Sequence, residues 1–151
     1  MAQFFSRLEP ALKDFIARQH IFFTASATAD SRINLSPKGS DSFRVLNDNA
    51  IAYLDQTGSG NEAAAHLRAD GRLTIMFCAF EGPPMILRLY GRGRSLPRGT
   101  GAYADLLATA FNGDEPTTGA RRTSSASTVC RPACLKTWMR PRRSLSRLHA
   151  A

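Results

Sequence analysis

The chain has 151 residues, 43% hydrophobic and 21% charged, a composition ordinary for one folded domain. No apolar run reaches the roughly 20 residues a membrane-spanning helix needs, and Met1-Ala-Gln-Phe-Phe lacks the basic-then-apolar order of a secretory leader, so a cytoplasmic protein free of the membrane is expected. The net charge of +8 suggests nucleic acid, but residues 121–151 hold eight of the chain's 20 bases and no acid, leaving twelve bases against twelve acids in residues 1–120; the basic end carries one aromatic, Trp138, a poor set of base readers, and nucleic acid is not expected as a partner.

Residues 6–19 open with a Ser6-x-x-Glu9 capping-box pattern and place Leu8, Leu12, Phe15 and Ile16 at helical spacing, which predicts an amphipathic helix. From Ile21 the period becomes that of strands. Ile21–Ala27 is β-branched and aromatic; Arg32–Ser36 alternates, with Ile33 and Leu35 on one face and Asn34 and Ser36 on the other. Ser42–Leu46 and Ala50–Asp55 flank Asn47-Asp-Asn, a hairpin connection by composition. Gly58-Ser-Gly-Asn61 breaks the pattern and leads into the helix formers Glu62–Arg68. Two long strands follow, Arg72–Phe80 and Met85–Arg94, joined by Glu81-Gly-Pro-Pro, and then a helix over 100–111 with Leu106, Leu107 and Phe111 inward. About six strands with short helices at the connections predict a mostly β protein, a closed antiparallel barrel rather than a parallel sheet.

After Pro116 the apolar period is lost, and a Ser-, Arg- and Pro-rich stretch has little hydrophobic surface to offset chain entropy. The expected division is therefore a domain over 1–120, incomplete at its C-terminus, and a basic tail over 121–151 that is disordered or frame-shifted. The second alternative comes from codon structure. Read one base early, Arg122–Val129 acquires the order polar, apolar, apolar, polar, apolar, polar, a strand pattern consistent with a frame shift near residue 120 that replaced a native last strand. Cys130 and Cys134 are spaced C-x3-C, with His149 the only histidine close in sequence, and no metal site is expected. Cys78 lies in an apolar strand and reads as a buried thiol.

Two segments resemble the pyridoxamine 5′-phosphate oxidase-like family of FMN-binding split β-barrels. They are Arg32-Ile-Asn-Leu-Ser-Pro-Lys-Gly39 and Ala52-Tyr-Leu-Asp-Gln-Thr-Gly-Ser-Gly-Asn-Glu62, followed by His66-Leu67 and Leu73-Thr-Ile-Met-Phe. The order of elements is similar from residue 5 to residue 95. The resemblance implies a split antiparallel β-barrel, a homodimer with FMN held between subunits, flavin-based redox chemistry on a small-molecule substrate, and, as the alternative within the fold, the deazaflavin F420. A frame-shifted remnant without activity is a further alternative.

The residues support that cofactor on chemical grounds. Thr57, Gly58, Ser59, Gly60 and Asn61 precede a helix start, where glycine-exposed amides and a helix N-terminus suit a phosphate. Lys38 and Arg32 add positive charge; Asn34 and Ser36 suit ring-edge hydrogen bonds; Tyr53 and Asp55 alternate onto one strand face towards the same pocket. Each also has a plain structural reading: Gly58-Ser-Gly as a flexible turn, Lys38 as a solvated lysine, Asn34 and Ser36 as outward-facing polar residues, Tyr53 as core, His66 as a surface or satisfied side chain. The glycine loop lacks the Arg/Lys-rich phosphate grip of the family's oxidases proper, and the positions that read a pyridoxal-type substrate fall in the alien C-terminal part, so vitamin B6 oxidation is not the expected activity. No acid–base pair requires a protein-borne catalyst, and catalytic residues stay unassigned.

Overall fold

The structure is a computed structural model describing residues 2–55, 62–113 and 127–139, the last as backbone. Among the described residues eight strands and three helices follow in chain order: β1 (Ala2–Phe5), α1 (Pro10–Ala17), β2 (Ile21–Ser26), β3 (Asn34–Gly39), β4 (Phe43–Asn47), β5 (Ala50–Leu54), α2 (Glu62–Ala69), β6 (Arg72–Cys78), β7 (Met85–Leu96), α3 (Gly101–Ala110) and β8 (Ser127–Met139), with a 3₁₀ turn at Ser40–Ser42 between β3 and β4. Every strand pair is antiparallel. The sheet runs β3-β2-β6-β7-β8-β5-β4, with β1 also pairing β8.

Ring packing shows that the sheet curls round one core, with β3 and β4 as its end strands. β2 and β4 lie near opposite ends of the strand order, yet the rings of Phe22 and Phe43 meet edge to face with centroids 5.0 Å apart. Phe22 also packs on Tyr53 at 5.6 Å and Phe77 at 5.7 Å. The barrel core is filled by the inward residues of β2, β5, β6 and β7, among them Phe22, Ile51, Tyr53, Ile75, Phe77, Leu87 and Leu89, and one end is plugged by Leu8, Leu12, Phe15 and Ile16 around α1. All five β5 residues are buried because both faces are covered: Ile51 and Tyr53 by the barrel core, Ala52 and Leu54 by Leu96, Tyr103 and Phe111 around α3.

Helix α1 begins at Pro10, not at Ser6, and Glu9 is its N-cap with extended backbone and no side-chain cap bond. Proline restrains the residue before it to extended backbone, so the capping box at Ser6 does not form. Instead the Leu8 amide donates to the Asp48 carbonyl at 2.8 Å and ties the approach to the β4–β5 turn. In α3, Thr100 caps the start by accepting from the Tyr103 amide at 3.3 Å; Phe111 and Tyr103 are buried, whereas Leu106 and Leu107 are only partly so.

The sequence reading expects no regular element past Pro116. The backbone of Ser127–Met139 instead forms β8, pairing with β7 from Met85 to Leu96 and with β1 and β5. Main-chain hydrogen bonding depends little on side chain, and the rows of N–H and C=O groups on β5 and β7 offer partners to any extended segment. Pro132, which has no N–H, sits where the register shifts, opposite Gly91, the place in a ladder that tolerates proline. Residues 114–126 and 140–151 lie outside the described residues, as do the side chains of Cys130 and Cys134.

Candidate functional site

At the α2 end, the barrel interior changes from aromatic to polar. The inward face of β2 reads Phe22, Thr24, Ser26, and β3 lies beside it with Lys38 opposite Phe22, Ser36 opposite Thr24 and Asn34 opposite Ser26. Asn34 and Ser36 are both buried, at 8% exposure. On the other face Leu35 is 64% exposed, and Ile33, just ahead of the strand, is 77% exposed. The outward-facing reading of Asn34 and Ser36 therefore fails: β3 is an edge strand whose polar side faces in.

The buried polar groups are tied together. Ser36 Oγ donates to Asn34 Oδ1 at 2.9 Å, and Asn34 Nδ2 donates to Glu62 Oε2 at 3.0 Å, linking β3 to the first turn of α2. Thr24 Oγ1 reaches the Ser36 carbonyl at 3.5 Å. Ser26 Oγ and His66 Nδ1 lie 3.1 Å apart, so His66, buried at 8% exposure, is a satisfied interior side chain. Thr24, Ser26 and Glu62 were not legible as members of this cluster. His66 was, had the helix been read by face: Ala63, His66 and Leu67 stand at i, i+3 and i+4 and all three are buried.

Lys38, at the end of β3, and Asp55, just past the end of β5, form the closest contact of the site. Lys38 Nζ donates to Asp55 Oδ1 at 2.6 Å. The pair is largely buried, with side-chain exposures of 12% and 2%, and the ammonium sits 5.9 Å from the Tyr53 ring centroid. The second carboxylate oxygen, Asp55 Oδ2, is buried without a hydrogen-bond partner among the described residues. Burial pushes the Asp55 carboxyl above the ordinary aspartate range, and the charge and hydrogen bond of Lys38 offset that only in part. Lys38 is therefore not a solvated surface lysine; its positive charge is already balanced inside the barrel.

The structure thus lines Asn34, Ser36 and Lys38 along one strand, with Asn34 and Ser36 hydrogen-bonded to each other and Lys38 brought to Asp55 and the Tyr53 ring. It leaves Arg32 exposed ahead of β3. Thr57, Gly58, Ser59, Gly60 and Asn61 lie outside the described residues, in the segment that joins Asp55 to α2. Among the described residues no group of three or more His, Cys, Asp or Glu is placed to hold a metal ion, and no helix is long and apolar enough to cross a membrane.

The arrangement has known counterparts. The family described as pyridoxamine 5′-phosphate oxidase matches residues 8–127. A pyridoxamine 5′-phosphate oxidase family protein of Aspergillus flavus, ustO, is 44% identical over 107 residues, which is 69% of this chain and 43% of that protein; the chain spans less than half the length of this relative. Among solved structures, the FAD-binding protein of Mycobacterium smegmatis superposes with a TM-score of 0.58 at 13% identity, covering 89% of this chain and 98% of that one. The heme storage protein HutZ of Vibrio cholerae does so with a TM-score of 0.58 at 18% identity, covering 83% and 90%. At these identities the likeness is one of fold, and proteins with different cofactors share it. Barrel, strand order and the family match over most of the chain agree: this chain belongs to the pyridoxamine 5′-phosphate oxidase family.

Proposed function

We propose that the chain is an FMN-binding flavoprotein, an oxidoreductase acting on a small-molecule substrate as a cytoplasmic homodimer. The observation that carries this reading is the meeting of the β3 and β5 strand ends at Lys38 and Asp55, beside the segment that leads into α2. A buried ammonium and a carboxylate oxygen with no partner among the described residues suit a ligand that offers both an anionic group to Lys38 and a hydrogen-bond donor or proton to Asp55. Lys38 would hold a cofactor oxygen, Asn34 and Ser36 would keep the β3 wall polar and fixed, and Tyr53 would supply an aromatic side wall. FMN, when bound, supplies the hydride and electron transfer, and the protein supplies position and electrostatics. In this reading residues 1–120 are the family's own part of the barrel, and the stretch from 121, which supplies β8, is a basic segment of frame-shifted origin.

The homodimer rests on a separate observation. The outer face of β3 exposes Ile33 and Leu35 beside Pro37, continuous through the strand register with Phe23 on β2 and Met76 on β6. A contiguous apolar sheet face on an edge strand is a surface that a second copy would cover. Leu35→Lys is expected to turn a dimer into a monomer in sedimentation analysis; a wild-type chain that is already monomeric at micromolar concentration would remove this part of the reading.

The cofactor is tested by the absorbance spectrum and phosphate content of the purified chain, repeated with the reading frame restored after residue 120. An oxidised flavin absorbs in the blue and a deazaflavin at shorter wavelength. Yellow protein with one phosphate per chain is the expected result. Pigment only in the restored form would assign the loss to the altered C-terminal part, and colourless protein in both forms would refute the flavin reading.

A further inference from the structure

We infer that Asp55 makes anion binding beside Lys38 a proton-coupled event: the ligand phosphate takes over the Lys38 ammonium, and the carboxylate that loses its counter-charge takes up one proton from solvent on Oδ2. This rests on the flavin reading and adds a residue that decides which charge state of the site accepts the cofactor.

The argument starts from charge balance. A phosphate monoester carries about −1.5 to −2 near neutral pH, yet the cation at this seat is already matched by Asp55 at 2.6 Å. Seating the phosphate next to an intact Lys38–Asp55 pair places like charges together where little water screens them. Protonation removes that conflict without moving the backbone. One carboxylate oxygen, Oδ1, is held by Lys38, while Oδ2 has no partner among the described residues and can carry a proton. With Asp55 neutral, Lys38 becomes a net positive charge facing the ligand. Burial already favours the neutral acid. Among the described residues the titratable and charged groups on the surrounding elements are Lys38 on β3, Asp41 in the 3₁₀ turn, Arg44 on β4, Tyr53 on β5, and Glu62, His66 and Arg68 on α2; Arg44 donates to the Asp41 and Phe43 carbonyls, and of the whole set Lys38 is the one that shifts Asp55. Glu62 and His66 are engaged with Asn34 and Ser26.

The test is titration of FMN into the full chain, wild type and Asp55→Asn, above pH about 6.5 so that the phosphate stays in its dianionic form. Wild-type affinity is expected to fall by up to about tenfold per pH unit across the ionisation of Asp55. Calorimetry in buffers of different ionisation enthalpy should report uptake of up to one proton. Asp55→Asn should bind with a flat pH profile, no proton uptake, and at least about tenfold more tightly at the alkaline end. Equal pH profiles for the two proteins, or wild-type binding without proton uptake, would overturn the inference while leaving the flavin reading intact. If Asp55→Asn gives no cooperative melt, the wild-type proton count decides alone. If neither protein takes up flavin at any pH, the functional reading falls and the inference with it.

Discussion

Lys38→Met is expected to destabilise the protein by about 3–5 kcal/mol at neutral pH, the usual cost of breaking a buried ion pair from one side. The variant keeps the Asp55 carboxyl, 2% exposed, and removes the charge and hydrogen bond that offset its burial. The pH dependence identifies the cause. Asp55 has a folded-state pKa raised above its ordinary value of 3.8, so its contribution to stability is fully present below that value and is lost as pH rises through the folded pKa. Removing Lys38 raises the folded pKa further and widens that window. The gap between wild type and variant in urea unfolding should therefore be large at pH 7 and shrink as pH approaches the unfolded aspartate value. A loss of equal size at both ends would mean that the aliphatic stem of Lys38, and not its charge, is what matters.

Phe22→Ala is expected to cost a further class of interaction, about 3–5 kcal/mol at any pH. Phe22 is fully buried, and its ring is in aromatic contact with Phe43, Tyr53 and Phe77, which come from three other strands. Truncation opens a cavity where the sheet closes, and neighbours fixed on three separate strands cannot collapse into it. Because Phe22 lies opposite Lys38 in the β2–β3 register, the Lys38 end of β3 should loosen as well, seen as faster amide exchange there. A loss below about 1 kcal/mol would show that the barrel is not closed through this residue.

Much of the fold was legible. Composition placed strands at Ile21–Ser26 and Arg72–Cys78, and in the structure their burial alternates, with Phe22, Thr24 and Ser26 and Leu73, Ile75 and Phe77 inward, because one face of each strand points into the core. The α1 stripe of Leu12, Phe15 and Ile16 is buried as its spacing requires. The start of that helix was misread because Pro10 acts on the residue before it, a local rule overriding the cap signal at Ser6. Alternation in β3 separated Ile33 and Leu35 from Asn34 and Ser36, but pattern alone does not say which set faces in. The usual guess, apolar inward, is inverted here because the barrel interior is already filled by aromatic rings at one end and is polar at the other.

What the residues determined alone is the type of the elements from α1 to α3 and the family they serve, not β1 or β8: period, turn chemistry and the two strand–loop segments are properties of neighbours in the chain. The pairing of Lys38 with Asp55 was not among them, since a contact across 17 positions exists only once β3 and β5 are bent towards each other. The tertiary structure also decided the role of the last strand. β5 and β7 present open ladders, and the backbone of Ser127–Met139 answers them through hydrogen bonds that side-chain pattern does not encode.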